Sequence, residues 1–143
     1  MKALGQHLIL EFYGCNRAVL SSVAKVQDAM LRAARAARAT VIDSVFHNFK
    51  PHGVSGVVVI AQSHFAIHTW PEHRYASADL FTCGDTIQPW QAFETVKRLF
   101  KAASFSVVKL ERGLLPGPGA GLARRHKAKR APARTSEKKA RRK

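Results

Sequence analysis

The chain has 143 residues, 46% of them hydrophobic, with 24 Lys and Arg against nine Asp and Glu and a formal net charge of +15. That length holds one ordinary domain with a single core, and no uninterrupted apolar run approaches the roughly 18 residues that cross a bilayer. Residues 122–143 carry eleven Lys or Arg and one acid, Glu137, so two-thirds of the excess charge sits in the last 22 residues and none of it argues that the domain itself is a nucleic-acid binder.

Residues 7–12 (His-Leu-Ile-Leu-Glu-Phe) are apolar and bounded by Gly5 and Tyr13-Gly14, the pattern of a buried strand. Asn16 is suited to cap the next segment. Over residues 18–37, Val19, Val23, Val26, Met30, Ala33, Ala34 and Ala37 recur every three or four positions, with Arg32, Arg35 and Arg38 toward water, which predicts one amphipathic helix. Residues 40–49 are rich in β-branched and aromatic types and predict a strand, followed by a Pro51-His52-Gly53 turn. Residues 54–60 (Val-Ser-Gly-Val-Val-Val-Ile) predict a central strand buried on both faces. After a break at residues 61–64, strands are predicted over 65–70 and 75–82. Pro89 suits the first turn of a second helix that runs to about Ala102, with Trp90, Phe93, Val96, Leu99 and Phe100 inside. Residues 104–111 predict the last strand.

The order β-α-β-β-β-β-α-β predicts an α+β two-layer sandwich with a mainly antiparallel sheet and two helices on one face. Residues 1–113 read as the domain. Residues 114–143 read as a Pro/Gly linker followed by a disordered basic tail, because the periodicity ends at Pro116 and no aromatic follows. The tail's reading is a solvated extension, with a weak electrostatic contact to RNA, DNA or an anionic membrane as the alternative. No signal-peptide pattern opens the chain and the two cysteines, Cys15 and Cys83, form neither a disulfide framework nor a CxxC zinc motif. A cytoplasmic location is expected.

Three motifs carry chemistry. They are Gly5-Gln-His-Leu-Ile-Leu-Glu-Phe-Tyr-Gly-Cys15, the block from Gly53 through Gln62-Ser63-His64 and His68 to Trp70-Pro71-Glu72, and Phe81-Thr-Cys83-Gly84-Asp85. In this order they closely resemble the bacterial and archaeal S-adenosylmethionine decarboxylase family, a likeness that runs from about Lys2 to Gly113. The resemblance implies a proenzyme that cuts itself between Gln62 and Ser63 into a β chain (1–62) and an α chain (63–143). The Ser63 hydroxyl attacks the preceding carbonyl and turns amide into ester. Loss of the serine α-proton and elimination then leave dehydroalanine, which hydrolyses to a pyruvoyl group. By the same resemblance Ser55 stabilises the oxyoxazolidine intermediate, His68 assists elimination and Cys83 donates the proton in decarboxylation. Phe49 and Trp70 sandwich adenine, Glu72 contacts the nucleoside, and Glu11 is a candidate acidic neighbour. The family forms dimers whose sites include residues of both protomers, which implies an (αβ)2 assembly.

The chemistry stands on physical grounds as well. An amide is a poor electrophile, so the serine must be held against its own carbonyl in a constrained turn. A pyruvoyl ketone condenses with the substrate amine and serves as electron sink, so neither metal nor pyridoxal phosphate is required. A thiol can return the proton, and aromatic faces suit both adenine and the sulfonium cation. Each residue also has a plainer reading: a turn serine, a strand histidine, a buried cysteine, core aromatics. His64 and His68, about 13 Å apart on a strand, are too distant to share a metal ion. Gln62 departs from the Glu usual before the cleaved serine, which leaves open the same chemistry on arginine or ornithine. A third reading, from another class, is a non-catalytic homologue binding nucleic acid through its tail.

Overall fold

The computed structural model describes residues 3–117 and the backbone of Lys129–Arg130. Its centre is an antiparallel sheet of β1 (Ala3–Tyr13), β2 (Val41–Asn48), β3 (Val54–Ile60), β4 (Ser63–Trp70), β5 (Tyr75–Cys83) and β6 (Ser104–Leu114), in the spatial order β2-β3-β4-β5-β1-β6. The pair Lys129–Arg130 (β7) adds to the outer edge of β6 opposite Lys109 and Val108. Three helices, α1 (Arg17–Leu20), α2 (Val23–Ala36) and α3 (Pro89–Leu99), complete the α+β sandwich.

Alternation along each strand decides what is buried. Leu8, Leu10 and Phe12 of β1, Val54, Val58 and Ile60 of β3, Phe65 and Ile67 of β4, and Ala76, Ala78 and Leu80 of β5 all point to one face and are fully or nearly fully buried. The apolar stripes of the helices close over them: Val26, Met30, Ala33 and Ala34 from α2, and Phe93 and Val96 from α3. Phe12 anchors this layer between Phe93 and Phe100, at ring separations of 5.9 and 6.2 Å. The opposite face has no helix on it among the described residues, and Ser55, His68, Ser77 and Glu11 lie on it.

Several expectations are corrected. The predicted helix over 18–37 is two helices, because Ser22 accepts from the Lys25 amide and starts α2 afresh while Ser21 ends α1. Asn16 does cap α1, accepting from the Val19 amide at 3.1 Å. The 54–60 strand is covered on one face only: Val59 is exposed because its side of the sheet carries no second layer. Strand β4 resumes at Ser63, which leaves only Ala61-Gln62 in the turn. Helix α3 stops at Leu99, Trp90 lies exposed with its ring edge to Phe93, and β6 continues to Leu114. The expected disorder and nucleic-acid contact of the tail concern residues outside the described ones, apart from the Lys129–Arg130 backbone.

Candidate active site

The sequence-predicted residues fall into three groups along the sheet, and the strand register sets them. At one end the β3–β4 hairpin turns through Ala61 and Gln62, with Ile60 paired to Ser63. Gln62 has φ +68°, the left-handed region that strains a residue with a side chain. Ser63 follows it, and its Oγ is buried with no hydrogen-bond partner among the described residues. Cys83 closes β5 at this same end, since His64 pairs with Phe81 and Cys83 with Gly5. A Cβ on Gly5 would stand 3.3 Å from the Cys83 Sγ and 2.8 Å from the Thr82 carbonyl oxygen, so glycine there is what lets β1 approach the thiol.

The middle group is a single row across the open face. Ser55 pairs with His68, His68 with Ser77, and Ser77 with Glu11. Ser55 Oγ and His68 Nδ1 are hydrogen-bonded at 2.8 Å. Two strand neighbours whose side chains face the same way meet in this manner. Glu11 accepts a hydrogen bond from the Tyr75 hydroxyl. Burial first, and then this carboxylate, push the Tyr75 phenol up to about 12, so it remains a donor through neutral pH.

The far end is aromatic. Trp70 pairs with Tyr75 and stacks on it, with centroids 5.2 Å apart. Tyr13 stacks on Tyr75 at 5.4 Å. On the opposite side of Trp70 the same row passes through Gly53 to Phe49, whose amide donates to the Gly53 carbonyl at 2.8 Å. Phe49 follows β2 and Trp70 ends β4, strands two positions apart in the sheet, a span of about 9.6 Å at ~4.8 Å per spacing. Gly53 lies between them with φ +102°, and a Cβ there would stand 2.9 Å from the Thr69 carbonyl oxygen, so this position requires glycine. Glu72 follows in the 3-10 turn Pro71–His73, exposed at the same end.

The structure therefore joins Ser55 to His68 and groups Phe49, Trp70 and Glu72, but it does not bring Ser63 to His68 within one chain. They are five positions apart on β4, about 16 Å at ~3.3 Å per residue. Their side chains also have opposite parity: Ser63 shares that of buried Phe65 and Ile67, and His68 that of exposed Trp70.

Sequence reasoning missed Tyr13, Tyr75 and Ser77, which enter the rows only through cross-strand register. It also missed a second network: Arg112 Nη1 donates to His7 Nδ1 at 3.0 Å, so the proton on Nε2 is the one that reaches Asp79 Oδ1 at 3.0 Å. Phe81 packs against this group, with the Arg112 guanidinium 5.1 Å above its ring and the His7 and His64 rings at 5.3 and 5.9 Å. No cluster of three metal-ligating side chains occurs among the described residues.

Comparison with known proteins gives one answer. Residues 6–113 match the S-adenosylmethionine decarboxylase family profile. The S-adenosylmethionine decarboxylase proenzyme of Thermotoga maritima is 54% identical over 113 residues, 79% of this chain and 87% of the relative. That of Moorella thermoacetica is 48% identical over 120 residues, 84% of this chain and 96% of the relative. Among solved structures, the adenosylmethionine decarboxylase of Aquifex aeolicus superposes with a TM-score of 0.77 at 32% identity, covering 85% of this chain and all of that one. The Trypanosoma brucei AdoMetDC-delta26 monomer shares the fold at a TM-score of 0.54 and 19% identity, over 73% of this chain and 45% of its own.

Proposed function

The chain belongs to the S-adenosylmethionine decarboxylase family and carries that family's activity, the release of CO2 from S-adenosylmethionine; we propose that the precursor cuts itself between Gln62 and Ser63 and works through a pyruvoyl group made from Ser63. The product, S-adenosylmethioninamine, is the aminopropyl donor for spermidine synthesis. The observation that carries the proposal is the Ser63 hydroxyl: buried, without a partner among the described residues, and directly after a residue in the left-handed region. A structural serine so buried is normally hydrogen-bonded, whereas a nucleophile awaiting its own carbonyl need not be.

A pyruvoyl ketone at this position supplies an electron sink for the bond that releases CO2. The rest is done by side chains. Phe49 and Trp70 take the adenine between their rings, and the Tyr75–Tyr13 stack backs the Trp70 ring. Glu72 reaches the nucleoside from the 3-10 turn, and Glu11, held by Tyr75, offers a carboxylate to the cationic part of the substrate. Ser55 and His68, already hydrogen-bonded, serve self-processing. Cys83 donates the proton that replaces the lost carboxylate.

Since Ser63 and His68 stand at separate ends of β4, we infer that the working unit is an (αβ)2 dimer whose sites draw on both protomers. The exposed apolar side chains of Val45 and Val59 on the bare sheet face support a partner there, because a folded chain gains by burying them. Two free thiols fit a reducing compartment, and the cytoplasm is the proposed location. No helix among the described residues is long and apolar enough to cross a membrane.

Intact mass spectrometry of the wild-type chain beside Ser63→Ala tests the proposal. The expected result is two fragments meeting at Gln62 and Ser63, the C-terminal one beginning with a pyruvoyl group, and an uncut mutant. A folded wild-type chain that stays whole overturns it.

A further inference from the structure

Among the described residues only two side chains carry a buried polar atom without a hydrogen-bond partner, and they are neighbours. One is Ser63 Oγ and the other is Thr82 Oγ1. The register His64 to Phe81 continues by one step to set Ser63 beside Thr82 across the β4–β5 pair. Both have the parity of the helix-covered face, where Phe65 and Leu80 are fully buried. Thr82 is 1% exposed, so water does not satisfy its hydroxyl in place of a protein group. It also precedes Cys83, the proposed proton donor.

A threonine in such a position is an unfavourable choice for stability alone. Valine has nearly the same shape and carries no hydroxyl to desolvate, so a purely structural Thr82 would be improved by replacement. The orphaned hydroxyl calls for a role that the resting precursor does not display. Ser63 supplies one, for it needs its Oγ lone pair aimed at the Gln62 carbonyl carbon. A hydroxyl neighbour that accepts the Ser63 O–H fixes that direction, and the continued register makes Thr82 the residue across from Ser63.

We propose that Thr82 is a positioning residue for self-cleavage: its Oγ1 accepts the hydrogen bond of the Ser63 hydroxyl and orients it for attack. In the step itself the Ser63 Oγ–C bond to Gln62 forms, the Gln62–Ser63 C–N bond breaks, and the hydroxyl proton ends on the freed Ser63 amine. Thr82 neither gains nor loses a proton overall. The inference rests on the reading that Ser63 is the cleaving residue.

The test is the cleavage half-time of freshly made full-length precursor, followed by denaturing electrophoresis and mass, for wild type, Thr82→Val and Thr82→Ser. Thr82→Val is expected to lengthen the half-time by about tenfold or more, and Thr82→Ser, which keeps a hydroxyl, to stay within about threefold of wild type. Melting of Ser63→Ala and Ser63→Ala/Thr82→Val, neither able to cut, is expected to show an unchanged or higher Tm for the double variant. Cleavage of Thr82→Val at the wild-type rate overturns the proposal, and so does equal slowing in Val and Ser. An uncut wild-type chain removes its premise and overturns the cleavage reading with it.

Discussion

Gln62 adopts φ +68° immediately before the bond proposed to break. For a residue with a side chain the left-handed region costs about 1–2 kcal/mol relative to its preferred one. On the proposed cleavage, the turn holds the carbonyl to be cut in an unfavourable state that the cut can release. Gln62→Gly removes that cost, because glycine occupies positive φ without strain. It is expected to slow self-cleavage by about tenfold, the factor equivalent to ~1.4 kcal/mol on a barrier. The comparison variant Gln62→Glu adds a charge at unchanged backbone preference. Should Gln62→Gly cut as fast as wild type, the strain has no part in processing. Cys15 makes a separate point about burial. Its thiol is fully buried and is pushed up to about 11 from an ordinary 9.0, an effect that nearby Arg74 only partly opposes. A reagent selective for thiolates is therefore expected to leave Cys15 unmodified in the native protein at pH 8 and to modify it after unfolding. The raised value also has a sign for stability. The contribution is complete below pH 9.0, where the unfolded thiol is neutral, and is lost as pH rises toward about 11. Native labelling of Cys15 at pH 8, read by peptide mass, would contradict this.

At the scale of elements, the edge hairpin β2–β3 shows how a glycine and an aromatic share a site. A Cβ on Gly56 would lie 2.1 Å from the Phe46 ring, which is its direct cross-strand partner. The ring lies across the bare backbone and shields it. Gly56→Ala must displace that ring and is expected to cost about 1–3 kcal/mol, as overpacking does elsewhere. A Phe46→Ala/Gly56→Ala chain should lose less than the two single changes together, and strict additivity in urea melts would refute the contact. Such pairings mark the limit of what one sequence declares. Strand and helix types were legible wherever apolar period was strong, as in β1 and α2. The interruption at Ser21-Ser22 was not, because Val19 and Val23 keep the helical period across it and only the capping serine reports the restart. The valines of β3 suit burial on both faces equally well, and only the missing second layer decides. The motif residues of the site were legible by resemblance. Tyr13, Tyr75 and Thr82 were not, since their meaning arises from partners on strands distant in sequence.

For the whole molecule the decisive feature is a sheet with one covered face and one bare one, crossed by strand β4 with Ser63 turned to the covered face at its start and His68 turned to the bare face near its end. If the two residues act together only across a pair of chains, each is a separable genetic function. Two proteins that are each inert, Ser63→Ala and His68→Ala, then hold between them one intact set: the serine of the second and the histidine of the first. Co-expressed in equal amounts, half of their dimers are mixed, and each mixed dimer has one of its two sites whole. Roughly a quarter of wild-type decarboxylation should return, from parents that have none. A mixture as dead as its components would mean that each chain completes its own site after all.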